Sequence, residues 1–76
     1  MNEKIFQILA DTLGVEPGAL SDETSMVNTP GWDSVAHLNL VLSFEEAFAR
    51  RFSPEEFMEM QSVAAIKRIL AGHGLA

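Results

Sequence analysis

Apolar residues recur at helical spacing in four stretches of the chain, and each stretch is bounded by residues that start or stop helices. Over residues 2–13, Ile5, Phe6, Leu9 and Leu13 fall within one half of a helical wheel, with Glu3, Lys4, Gln7 and Asp11 opposite. Asn2 suits the N-cap of this helix, and Gly14 suits its stop. Residues 14–33 lose the period and collect breakers, among them Gly14, Pro17, Gly18, Asn28, Pro30 and Gly31. A loop of that length in a compact domain is often functional. Val15, Leu20, Met26 and Val27 are expected to pin it to the core. A second helix is predicted over 34–51 and a short third over about 54–60. The third opens on a capping box, Ser53-Pro54-Glu55-Glu56, with Pro at the first helical position. Ser62 caps a fourth helix over 62–71, carrying Val63, Ile66, Ile69 and Leu70, and Gly72 is expected to stop it. Lys67 and Arg68 lie in its C-terminal half, where the helix dipole favours cations. No stretch alternates as a strand would. The expected fold is all-α: residues 1–76 form one small bundle of three main helices and one short one, with a long loop between the first and second.

The second helix has more apolar surface than one core needs. Leu40, Val41, Phe44, Phe48 and Phe52 make an ordinary core stripe. Val35, Leu38, Leu42 and Ala49 make a second arc, with Glu45 between the two arcs and Glu46 on the outer flank. Either the second arc is an exposed strip bordered by carboxylates, suited to docking another protein, or it is core as well and Glu45 snorkels out at the helix end. The long loop is a candidate to cover part of it.

Composition narrows the functions. The 76 residues are 47% hydrophobic and 21% charged, a globular balance. A chain this short buries only about 60% of its unfolded surface, too little for a deep cleft with a full catalytic apparatus. There is no Cys, hence no disulfide framework, no Cys-ligated zinc and no thiol nucleophile. The longest apolar run, Val63 to Ile66, is far short of a membrane span. With no signal-like N-terminus either, the expected setting is soluble and cytoplasmic, as a monomer. The net charge is −6, and no Lys or Arg occurs from Ile5 to Ala49. Such a surface repels phosphate backbones and anionic lipid, which argues against nucleic acid, a helix-turn-helix included, and against membranes. It would draw basic protein surfaces, or it serves solubility alone.

The remaining chemistry gathers at Gly31-Trp32-Asp33-Ser34-Val35. Asp33 and Ser34 open the second helix, where free amides and the dipole favour an anion such as a phosphoester, although a residue of either type at a helix start is commonly just a cap. A Ser34–His37–Asp33 hydrolase is conceivable only on paper, since all three lie in one turn without an oxyanion hole. His37 faces the core as a partly buried packing residue, and His73 is expected to fray with the tail. Neither has a metal-ligand partner at usable spacing. Trp32 either covers the loop, touches an attached group or partner, or packs. Glu55, Glu56 and Glu59 read as a solvated face with no calcium-loop pattern. Phe6, Phe44, Phe48, Phe52, Phe57 and Met58 are expected to be mostly core.

The segment from Asp33-Ser34-Val35 through the aliphatic run to Glu45-Glu46-Ala47-Phe48 resembles the second helix of acyl carrier proteins. Gly14-Val15, Leu20-Ser21-Asp22-Glu23-Thr24 and Ser62-Val63 extend the likeness over about residues 3–71. The resemblance implies that Ser34 receives 4′-phosphopantetheine from coenzyme A through a phosphopantetheinyl transferase with Mg²⁺. The arm's thiol would then hold acyl groups as thioesters, which accounts for a chain without Cys. It implies that Asp33 aids recognition by the transferase. It also implies that Val35, Leu38, Leu42, Glu45 and Glu46 face acyl-loading and acyl-processing enzymes with basic docking patches. No catalysis by the chain itself is implied.

Two departures bear on the pathway. Ala36 and Asn39 stand where the common fatty-acid-synthesis members carry acids, and the helix ends in Arg50-Arg51 where many relatives are acidic or neutral. They point to a dedicated pathway, such as secondary-metabolite, cell-envelope or unusual-acyl biosynthesis. The alternatives are a peptidyl or aminoacyl carrier and an unmodified acidic helical adaptor for a basic partner.

Overall fold

A computed structural model describes residues 2–75. Four α-helices follow in order: α1 (Asn2–Leu13), α2 (Ser34–Phe48), α3 (Pro54–Glu59) and α4 (Val63–Gly72). The all-α expectation holds, with three longer helices and one short one, and none is long and apolar enough to cross a membrane. The expected cap at Asn2 rests on a side chain outside the described residues.

The ends show why the helices stop where they do. At Gly14 the backbone turns left-handed, φ 70°, and the amide of Val15 closes on the carbonyl of Ala10. The second helix ends at Phe48, three residues short of the expected Arg51. Ala49 adopts the left-handed conformation, φ 54°, and the amide of Arg50 donates to Glu45 O at 3.1 Å. Periodicity could not foresee this, because Ala is a good helix former. What redirects the chain is Phe52, whose ring packs on the core and whose amide donates to Glu45 Oε2 at 2.9 Å. In the fourth helix Gly72 is still helical. The stop is Gly74, φ 77°, with the amide of Leu75 donating to Leu70 O at 2.8 Å and the amide of Gly74 to Ala71 O.

Ile5 and Leu9 of α1, Leu40, Val41 and Phe44 of α2, and Val63, Ile66 and Leu70 of α4 interlock in one core with Trp32 and Met60. Phe6, Phe48, Phe52 and Phe57 are half-buried around it, but Met58, expected inside, is exposed. The loop between α1 and α2 is more ordered than its sequence suggests. It contains a 3₁₀ turn at Pro17–Ala19 and is stitched to the junction before α4. Met26 N donates to Gln61 O at 2.8 Å, and Val63 N donates to Thr24 O at 2.9 Å. Lys67 of α4 pairs with Asp22 and lies 5.2 Å from the Phe6 ring. Leu20 and Met26 pack on the core as expected, whereas Val27, on the turn capped by Asn28, is almost fully exposed.

The capping box forms: Ser53 Oγ accepts from Glu56 N at 3.1 Å, and Glu56 Oε1 accepts from Ser53 N at 2.9 Å. Glu56 is therefore more than a solvated charge. Its second oxygen meets His73 Nε2 at 2.8 Å, and the His73 ring stands edge-on to Phe52 at 5.1 Å. His73 is thus no frayed residue but a clasp between α4 and α3.

Candidate functional site

Of Asp33 and Ser34, it is Asp33 that caps the helix. It sits in extended backbone, and its Oδ1 accepts from Ala36 N at 2.8 Å. Ser34 is the first helical residue, and its side chain is exposed. The capping role, a sufficient explanation for either residue alone, is thus taken by one of them. The other presents a hydroxyl to solvent at the positive end of a 15-residue helix.

Beneath it runs a buried polar relay. Trp32 and His37 are only 2% and 3% exposed. Trp32 Nε1 donates to His37 Nδ1 at 3.1 Å, and His37 Nε2 lies 2.8 Å from Phe57 O. An indole N–H only donates, so Nδ1 accepts, and Nε2 carries the proton that it gives to the carbonyl. The relay joins the segment before Ser34, α2 and α3, and it leaves no ring nitrogen for a Ser34 hydroxyl. With Asp33 committed as a cap, the paper triad does not assemble. Trp32, whose role the sequence left open, is a core residue.

The second apolar arc of α2 is exposed: Val35 at 70%, Leu38 at 49% and Leu42 at 51%, with Ala49 and Glu46 also in solvent. The long loop does not cover it. Instead, Leu38, Val41, Leu42 and Glu45 form one wall of an open apolar groove of about 370 Å³, and Phe52, Pro54, Phe57 and Met58 form the other. A second hollow of similar volume lies in the loop, among Val15, Leu20, Thr24 and Pro30. Glu45 is half-buried, and its Oε2 is held by Phe52 N, so it shapes the rim of the groove as well as charging it. Arg50 and Arg51 are exposed just beyond. The other bases are engaged: Lys4 lies over Phe48 at 4.8 Å, Lys67 is on Asp22, and Arg68 is 3.7 Å from Glu59.

Sequence reasoning missed the Trp32–His37–Phe57 relay and the groove. Helical spacing alone puts His37 on the inner face, but nothing in the sequence says that α3 brings a carbonyl to it. The groove depends on the left-handed turn at Ala49, which sets where residues 52–58 lie.

The family described as "Phosphopantetheine attachment site" matches residues 3–70. The chain is 35% identical over 66 residues to an acyl carrier protein of Akkermansia muciniphila, covering 87% of this chain and 82% of that one. It is 36% identical over 72 residues to an acyl carrier protein of Coprothermobacter proteolyticus, covering 90% and 88%. The chain belongs to the acyl carrier protein family, whose members hold 4′-phosphopantetheine covalently and are carriers, not enzymes.

Proposed function

We propose that Ser34 is the attachment residue, and that the chain serves as a monomeric cytoplasmic carrier for acyl groups in a dedicated pathway. The observation that carries this reading is the division of labour at the start of α2: Asp33 caps, while Ser34 remains exposed and outside the cap. The residues fit the group. Its phosphate, once esterified to Ser34 Oγ, would lie at the positive end of α2, and no buried side chain need move to admit it. When bound, the arm supplies the thiol that holds the cargo and the reach that brings it to a partner's active site.

The chain's own residues do the rest. Asp33 fixes the first turn, so that a phosphopantetheinyl transferase meets the Ser34 hydroxyl in one geometry. Val35, Leu38 and Leu42 offer apolar contact to the transferase and to acyl-loading and acyl-processing enzymes. Glu46 steers basic patches toward that contact. Glu45 contributes charge from one oxygen while the other holds Phe52.

A dedicated pathway is favoured by the charge of this surface. Ala36 and Asn39 add no acid to the first two turns, and Arg50 and Arg51 end the strip with exposed positive charge. Partners suited to it would carry a basic group opposite Glu46 and acidic ones opposite the arginines. Binding of the holo form to a dedicated and a housekeeping ketosynthase distinguishes the pathways. Equally tight binding to the housekeeping enzyme would count against specialisation.

The attachment itself is tested by intact mass after incubation with coenzyme A and a broad-specificity transferase. The protein gains one phosphopantetheine, and Ser34→Ala gains none while keeping its helical circular dichroism. An unmodified wild type would leave the adaptor reading standing instead.

A further inference from the structure

The three rings Trp32, His37 and Phe57 form a continuous wall directly under the start of α2. Trp32 stacks on His37 at 6.1 Å, and Phe57 meets His37 edge-on at 4.8 Å. The wall spans from the segment before Ser34, through α2, to α3. His37 lies one turn beyond Ser34 on the inner face of α2, the face that also buries Leu40 and Phe44. Both nitrogens of His37 are engaged, and among the described residues no buried side-chain polar atom lacks a partner. Nothing there is left for a ligand to satisfy, and Leu40, Phe44 and Ile66 are packed to full burial.

From this geometry we propose that Trp32, His37 and Phe57 bar cargo from the interior of the bundle, and that this carrier handles short or polar acyl groups left outside the core. The inference rests on Ser34 as the attachment residue. A chain entering past His37 would have to part the indole from the imidazole, or the imidazole from Phe57 O, and strand buried polar groups in an apolar setting. Apolar burial repays such a loss only for a long alkyl cargo with a cavity to fill. The outer groove offers no such shelter during transfer, since Leu38 and Leu42 belong to the strip that a partner must cover. Cargo that tolerates water, through few carbons or through hydroxyl or amino groups, suits the site.

The test loads the wild type with acetyl, hexanoyl and decanoyl arms, using a transferase and the matching acyl-coenzyme A, and verifies each by intact mass. Amide spectra and thermal melts follow. The amides of Leu40, Phe44 and Ile66 should keep the same shifts in all three forms, and the melting midpoint should not rise with chain length. Phe57→Ala, which thins the wall but keeps the carbonyl, should let the decanoyl form move those amides and raise its midpoint above that of its acetyl form. A wild-type decanoyl form that shifts the core amides, or melts higher than the acetyl form, overturns the barrier and leaves the carrier role intact. Absence of any mass adduct overturns the Ser34 assignment and this inference with it.

Discussion

Replacing His37 measures how strongly the relay ties the bundle together. His37→Ala strands the Trp32 N–H and the Phe57 carbonyl in the interior, at about 1–3 kcal/mol for each buried group left without a partner. The void left by the ring adds roughly 1–2 kcal/mol, giving about 3–8 kcal/mol in all. A chain of this size has roughly 4–11 kcal/mol to lose, so the variant should be close to unfolding. Two gentler variants separate the bonds. His37→Asn keeps an acceptor near the position of Nδ1 and loses the Phe57 tether; His37→Gln keeps a donor near that of Nε2 and loses the Trp32 bond. Each should cost about 1–3 kcal/mol. Urea unfolding provides the assay, and Trp32, the only tryptophan, is its probe within the relay itself. The midpoint should fall in the order wild type, single-bond variants, Ala, at an unchanged denaturant slope. An Ala variant within about 1 kcal/mol of wild type would refute the reasoning, as would Asn and Gln variants that are both as damaging as Ala.

Other expectations follow from single contacts. Ala49→Gly removes the strain of a left-handed alanine, about 1–2 kcal/mol, against a smaller entropic cost in the unfolded chain; the melt should rise by a few degrees, and a fall would mean the turn is not strained. The Glu56 carboxyl is held below its usual 4.5 chiefly by the Ser53 amide and then by His73. A lowered folded value contributes stability that is present above the unfolded value and lost as pH falls through the folded one. Glu56→Gln should therefore flatten the fall in stability below about pH 4.5, as followed by circular dichroism, and an unchanged acid limb would exclude the contribution. Leu42→Ser, at an exposed position, should alter stability by no more than about 0.5 kcal/mol yet slow acyl transfer from a partner. Unaltered transfer kinetics would remove Leu42 from the proposed docking strip.

Periodicity and caps were enough to place the helices, because Gly14, Ser53 and Ser62 act through bonds to their own neighbours. The same holds for Asp33 at the start of α2. Its cap is local, and once assigned it leaves Ser34 free. The end of α2 and the order of His73 depend on partners outside their own turns, whereas Val27 and Met58 are matters of local geometry. Helix α2 stops early because Phe52 must return to the core and Glu45 receives its amide. His73 is ordered because α3 presents Glu56 and the loop presents Phe52. Val27 points out because Asn28 closes its turn, while Met58 falls on the open side of a helix too short for its wheel to be decisive. A sequence pattern reports which face of a segment is apolar, but not which neighbour arrives to cover it.

The two faces of α2 make opposing demands, and the relay reconciles them. The proposed docking strip requires Leu38 and Leu42 to remain uncovered, so α2 cannot be clamped from that side by close apolar packing. Its inner face must hold it in register alone, and Leu40, Val41 and Phe44 supply apolar area without direction. Hydrogen bonds supply the direction. The bond from His37 to Phe57 O sets where α3 stands relative to the first turn of α2, and the bond from Trp32 fixes the segment that delivers Asp33 and Ser34. Glu45 does the same at the other end through Phe52 N. With both ends tied by directional contacts, the surface between them can stay apolar, exposed and ordered, as the proposed docking along α2 requires.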